Sequence, residues 1–247
     1  MIKLGNPNTV QVLDHGAVLL RNLAGPTRRP EQEFDASDVD PANSARMSFD
    51  GMDLERSYQM EMKLNKYLME NKHATPFESI EVWLEMKLPI FVARQFVRHR
   101  TAAINEVSGR YVQLPAEWYI PTLEDVIIQT ADKKQGGRLV NLNDPDEVSK
   151  AVAYRNRLET NCKNCYESYQ MSIADGIAME QARLDLHLNH YTHWLWKQDL
   201  RNMLGFLVLR DHSHAQREAQ LYAKAIISLL EPQLPGLMKL YGELLKA

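Results

Sequence analysis

The sequence predicts a mixed α/β architecture in which helices dominate. Strict apolar/polar alternation is confined to Ile80–Leu88, where Ile80, Val82, Leu84, Met86 and Leu88 interleave with Glu81, Trp83, Glu85 and Lys87. Apolar stripes of helical period occupy much longer stretches, and the best is formed by Ala219, Tyr222, Ala223, Ile226, Ile227 and Leu230. Strand-like runs are few and far apart, which favours helices packed on a small sheet.

The elements follow in order. Asp53 to Lys72 reads as a helix because Met60, Leu64, Tyr67 and Leu68 recur at i, i+4, i+7 and i+8. The alternating strand ends at Pro89, and a short helix through Phe96 follows. Asp146 to Asp175 is expected to be helical, with a second helix over Ile177–Leu188. His190 to Gln198, rich in Tyr, Thr and Trp, suits a second strand. Helix resumes at Leu200, and Pro232 and Pro235 separate the Ala219–Leu230 helix from a last one. Two polar stretches, Gly25–Asn43 and Gln129–Glu147, read as loops within a single domain, 1–247.

With 247 residues, 45% of them hydrophobic and 25% charged, the chain can bury a core like that of an ordinary soluble protein. A net charge of -3 argues against nucleic-acid coating, which needs an extended basic face. The start carries no apolar leader and no run is long enough to span a bilayer, so no membrane association and a cytoplasmic setting are expected. Cys162 and Cys165 form a lone C-x-x-C in a polar stretch, where a redox or metal role lacks a second ligand pair.

The richest chemistry lies between Arg98 and Tyr111. Arg98, Arg100 and Arg110, joined by Arg94 just upstream, have only Glu106 nearby in sequence to balance them. Clustered guanidinium forks repel one another unless an anion sits between them, and their geometry matches phosphate. Gln95, Arg98 and His99 stand at i, i+3 and i+4, one helix face, opposite Ala93, Phe96 and Val97. Ser108-Gly109 adds a hydroxyl and a pliable backbone whose N–H groups can approach a phosphate. A phosphorylated ligand is the first expectation.

A second polar set comes late. Arg201 and Gly205 share a helix face, and Arg210-Asp211-His212-Ser213-His214-Ala215-Gln216 separates two apolar helices, with Ser213 a candidate N-cap. His187, His190 and His193 come without a carboxylate at ligand spacing, and on a strand His190 and His193 would face opposite sides. No metal site is expected.

Arg98-His99-Arg100, seven residues and Ser108, within Arg-His-Arg…Asn-Glu-x-Ser-Gly-Arg-Tyr, resembles the defining motif of the flavin-dependent thymidylate synthases. His73-Ala74-Thr75-Pro76-Phe77-Glu78, the Ala-Arg-Met-Ser run ending at Ser48, and Leu209–Gln216 look like further blocks of that family in the expected order. The resemblance implies an α+β fold with an antiparallel sheet core, flanking helices and a mainly helical second half. It implies conversion of dUMP to dTMP, with methylenetetrahydrofolate as carbon donor, NADPH as reductant and FAD as hydride carrier, in a homotetramer with shared active sites. By similarity Gln95, Arg98, Glu106, Ser108, Gly109, Arg110 and Arg183 hold dUMP, Arg110 from across a subunit boundary. Arg210 polarises the uracil. Ser48, Thr75, Arg98, His99, Arg100, Glu106, Asp199, Arg201 and Gly205 take the FAD positions.

Four positions depart from the family pattern. Ala103 stands where serine is frequent, His187 where proline is common, and Asp199 and Gly205 where asparagines usually meet the flavin. An ionised aspartate only accepts hydrogen bonds, whereas asparagine also donates, so flavin contacts must differ. A flavoenzyme acting on another pyrimidine deoxynucleotide, such as dCMP, is the alternative within this resemblance. A nucleic-acid-binding protein using the arginines as a phosphate clamp is the alternative outside it, and the acidic net charge opposes it.

Overall fold

The molecule is built on a five-stranded antiparallel sheet. The computed structural model describes residues 2, 5–27, 29, 31–49, 56–131 and 136–245. Strands β1 (Thr9–Val12), β2 (Gly16–Ala24), β3 (Glu81–Pro89), β4 (Ala103–Glu106) and, late in the chain, β7 (Tyr191–Asp199) pair in the order β1-β2-β3-β7-β4. A separate ribbon joins β5 (Ile127–Gln129) to β6 (Gly137–Leu139). The helices are α1 (Asp40–Arg46), α2 (Tyr58–Glu70), α3 (Ile90–Phe96), α4 (Pro145–Ala174), α5 (Met179–Ala182), α6 (Leu200–Arg210), α7 (Arg217–Leu230) and α8 (Pro235–Leu244). None is long and apolar enough to cross a membrane among the described residues.

The alternation read in the sequence is the period of β3. Val82, Leu84, Met86 and Leu88 are fully buried, and Leu84 and Met86 lie opposite Trp196 and Trp194 of β7. These join Phe96, Phe206, Tyr222 and Ile226 in one hydrophobic cluster that unites both halves of the chain. The pair β1–β2 carries no alternation because Ala17–Leu20 is buried on both faces, so its side chains need no polar side. Gly16 opens β2 where any Cβ would lie 2.1 Å from the Tyr222 hydroxyl and 2.5 Å from the Val12 carbonyl. That approach lets the Tyr222 hydroxyl donate to the Lys87 carbonyl at 2.6 Å.

Several sequence expectations are corrected. The first turn expected for the helix at Asp53 lies partly outside the described residues, and α2 begins at Tyr58 behind the Ser57 cap. Gly25–Asn43 is not all loop, since α1 starts at Asp40, whose carboxylate binds Arg29 at 2.6 Å. Gln129–Glu147 includes β6 and the start of α4, tied by an Arg138–Glu147 ion pair. Over Ile177–Leu188 only the short α5 and one 3-10 turn, Arg183–Asp185, form. Ser213 caps nothing, because α7 begins at Arg217 behind Gln216 and no side chain caps it. The long α4 does match its reading. Asp144 accepts from the N–H groups of Asp146 and Glu147, and Pro145 supplies the first-turn backbone.

One cap comes from far away in sequence. Asp38 accepts from Gly236 N–H and Leu237 N–H, both at 2.8 Å, which satisfies the start of α8 from a segment before α1.

Candidate active site

Helix α3 delivers the arginine block, but it stops at Phe96. Arg98 and His99 therefore fall in the turn after the helix, not on one face with Gln95. The apolar side of α3 is Val92, Ala93 and Phe96, and Val97 is exposed. The turn leads into β4, an edge strand paired with β7, and carries the chain on to Ser108 and Gly109.

Four of the expected dUMP residues line one cavity of about 380 Å³: Glu106, Ser108, Gly109 and Arg183. Each is fixed by a different device. Glu106 accepts from the Thr192 hydroxyl on the neighbouring strand. Ser108 closes a turn through its carbonyl, which accepts from Tyr111 N–H at 3.0 Å. Gly109 is buried where a Cβ would meet Leu114 Cδ1 at 3.0 Å and Arg183 Cδ at 3.2 Å, so a hydrogen here lets Arg183 approach. Leu114 is held by α4, accepting from the Tyr166 hydroxyl and donating to the Tyr169 hydroxyl, each at 3.0 Å.

Gln95 and Arg210 meet outside this cavity. The Arg210 Nε–H donates to His99 Nε2 at 3.3 Å, and an Nη2–H donates to the Gln95 carbonyl at 3.0 Å. His99 must present a lone pair to that donor, so it is neutral with its proton on Nδ1. Burial, with the Arg210 charge beside it, holds the His99 pKa below the ordinary imidazole value. The ring packs edge-on against Phe206 at 4.9 Å. Burial also lowers the Arg210 pKa, although a guanidinium stays charged at any working pH. Gln95 Nε2 donates to Gln216 Oε1 at 2.5 Å, a partner to which the sequence assigned no role.

The remaining cations are exposed. Among the described residues Arg94, Arg98, Arg100 and Arg201 form no ion pair with a carboxylate. Arg110 pairs with Glu180 at 3.2 Å, both half exposed, an interaction worth at most about 1 kcal/mol. Ser48 and Thr75 line a different groove, of about 1110 Å³, together with Phe49, Tyr67 and His73. Among the described residues the two groups line separate cavities.

Asp199 and Gly205 sit at the start and within α6. Asp199 caps α6: one carboxylate oxygen accepts from Asn202 N–H at 2.9 Å and the other from the Asn202 amide at 2.7 Å. Asn202 Oδ1 in turn accepts from Arg201 at 2.9 Å. At Gly205 a Cβ would meet nothing within 4 Å. The flavin fit therefore rests on cations and groove. Three exposed guanidinium groups suit a pyrophosphate, while Asp199 is committed to its helix.

The histidines separate as the strand reading required. His190 is buried and stacks on Tyr166, whereas Nε2 of His193 lies 2.7 Å from Glu85 on the opposite sheet face. Among the described residues no group of three side chains stands at metal-ligand spacing. Cys162 is buried beside the Asn189 amide, and burial pushes its thiol pKa up, away from reactivity.

Comparison with known proteins identifies the family. The family model described as thymidylate synthase complementing protein matches residues 32–236. A flavin-dependent thymidylate synthase of Ehrlichia ruminantium (strain Gardel) is 39% identical over 226 residues, 91% of this chain and 70% of that protein. One from Gluconobacter oxydans (strain 621H) is 36% identical over 233 residues, 94% of this chain and 72% of that protein. Among solved structures, the UMP/dUMP methylase PolB of Streptomyces cacaoi bound with 5-Br dUMP superposes with a TM-score of 0.79 at 25% identity, covering 96% of this chain and 99% of that one. The arginine motif, the sheet that carries it and these relatives agree, and the chain belongs to the flavin-dependent thymidylate synthases.

Proposed function

We propose that the chain makes dTMP from dUMP, with methylenetetrahydrofolate as carbon donor and NADPH as reductant. The observation that carries this reading is that Arg94, Arg98 and Arg100 have no carboxylate ion-pair partner among the described residues, in the same segment that supplies Glu106, Ser108 and Gly109 to a cavity shared with Arg183. FAD, the family cofactor, would lie along Arg98, Arg100 and Arg201 and the groove of Ser48 and Thr75, and when bound it supplies the hydride.

The chain's own residues bind and orient. Arg183 and the Ser108-Gly109 backbone take the nucleotide phosphate, by charge and by N–H donation. Arg210 is the catalytic residue. His99 and the Gln95 carbonyl hold two of its N–H groups, and the others remain for the uracil ring. A guanidinium so held stabilises the N3-ionised, electron-rich ring without having to reorient. Neutral His99 adds no competing positive charge.

A homotetramer with shared sites completes this reading. Phe49, Tyr111 and Leu184, at 88%, 74% and 79% exposure, are large apolar side chains beside the groove, the arginine block and Arg183. Such surface beside the site suits a subunit contact. A cytoplasmic setting belongs to the same proposal.

The test is the visible spectrum of the protein loaded with FAD, before and after dUMP. A flavin band perturbed by dUMP supports the synthase reading. A band that ignores dUMP and answers dCMP moves the activity to that nucleotide, and a chain that retains no flavin refutes the assignment.

A further inference from the structure

Leu186 lines the Glu106–Arg183 cavity, and the next three residues, His187, Leu188 and Asn189, line a second one of about 710 Å³. Its walls come from α3, the strand β5, α4 and the start of α7, and no lining residue is shared with the first cavity. Phe91, Tyr119 and Tyr154 supply rings, and Leu158, Val126 and Ile128 supply apolar surface. Two polar atoms of the lining residues are buried without a partner: Oε2 of Glu218, a residue only 8% exposed, and Nε2 of His187. Leaving a buried polar atom unpaired costs about 1–3 kcal/mol, so the Glu218 oxygen points to a missing donor and the His187 nitrogen to a missing hydrogen-bond partner.

The charges narrow the class of ligand. Asp125 is paired with Arg217 at 2.6 Å, which leaves Glu218 and Lys150 to balance each other among the lining residues. A cationic ligand would upset that balance, and an anionic one would face Glu218. The Glu218 carboxylate stands close enough to Tyr119 to raise that hydroxyl's pKa, and its buried Oε2 awaits a donor. We propose that this cavity binds a neutral amino-substituted heteroaromatic ring of the adenine type. Its exocyclic N–H donates to Glu218 Oε2, its ring nitrogens meet Lys150 and His187, and its faces pack on the aromatic wall. The volume lies within the range of small-molecule sites. The site depends on His187, whose Nε2 is buried without a partner. Its occupant would also touch Gln216, the partner of Gln95, whose carbonyl supports Arg210.

The test is calorimetric titration with adenosine and with inosine, which carries a carbonyl in place of the amino group. The protein is saturated with FAD and dUMP, so that neither probe reports those sites. Adenosine is expected to bind about tenfold or more tightly than inosine, because inosine sets its carbonyl against a carboxylate. Glu218→Gln should erase that preference while leaving dUMP affinity unchanged, and Lys150→Ala, on the exposed rim, should weaken adenosine severalfold. Equal binding of the two nucleosides, no adenosine binding at millimolar concentration, or indifference to Glu218→Gln overturns the proposal. The readout is direct binding, so a failed methylation assay refutes the synthase reading and leaves this site standing.

Discussion

Acid should destabilise this protein through His190, and by an amount the structure sets. The ring is buried, its Nε2 has no partner, and it stacks on Tyr166 with ring centroids 6.5 Å apart. Burial pushes its pKa from 6.5 down to about 4, against a smaller opposing pull from Glu117. A folded-state pKa below the unfolded one means the unfolded chain binds the proton first. The stability is therefore whole above pH 6.5 and is lost as pH falls from there toward about 4. At 1.36 kcal/mol per pKa unit the full loss is roughly 3 kcal/mol, of which about 2.5 kcal/mol is gone by about pH 4.5. The assay is urea unfolding of wild type and His190→Phe at neutral pH and at about pH 4.5. Phenylalanine keeps the stack and removes the titration. Overpacking is expected to destabilise it by a fixed offset of about 1–3 kcal/mol at every pH. Carboxylates contribute equally to both proteins, so the difference in pH dependence isolates His190. If the variant loses as much stability as wild type over that interval, His190 is not held neutral by burial and the reasoning fails.

Three other outcomes follow from the site. Arg210→Lys keeps the charge but loses the fork that donates to His99 and Gln95, so kcat should fall about 10²–10³-fold with flavin retained; steady-state kinetics and the flavin spectrum check both. Gly109→Ala places a methyl 3.2 Å from Arg183 Cδ and should weaken dUMP binding about tenfold with little change in Tm, as read by titration and thermal unfolding. Gly205→Asn meets open space on α6, so it should raise Tm by removing a helix glycine worth a few tenths of a kcal/mol and should tighten FAD; unchanged flavin affinity would show that this position does not reach the cofactor.

The chemistry was legible in the arginine block because its peculiarity is local. Four guanidinium groups with one neighbouring carboxylate need no tertiary information to be read as an anion site. The β3 strand and α7 were legible for a similar reason: each has one buried face, so its period is written in the residues. The β1–β2 pair was not, because Ala17–Leu20 is buried on both faces and has no period to read. The helix at Ile177–Leu188 failed for the opposite reason. Arg183 stands there in a single 3-10 turn beside Gly109, which tertiary packing chose over local propensity.

The sequence by itself determined the motif, the alternating strand, the long amphipathic helices and the family. These depend on residue types at short separations, where backbone geometry alone dictates which side chains share a face. Only the tertiary structure decided that Arg210 rests on His99, that Gln216 holds Gln95, that Asp38 caps α8 and that Asp199 serves its own helix. The first three are contacts across long separations, and the last is a choice between two uses of one carboxylate. Both are settled by which surfaces the core brings together, and no local pattern carries that information.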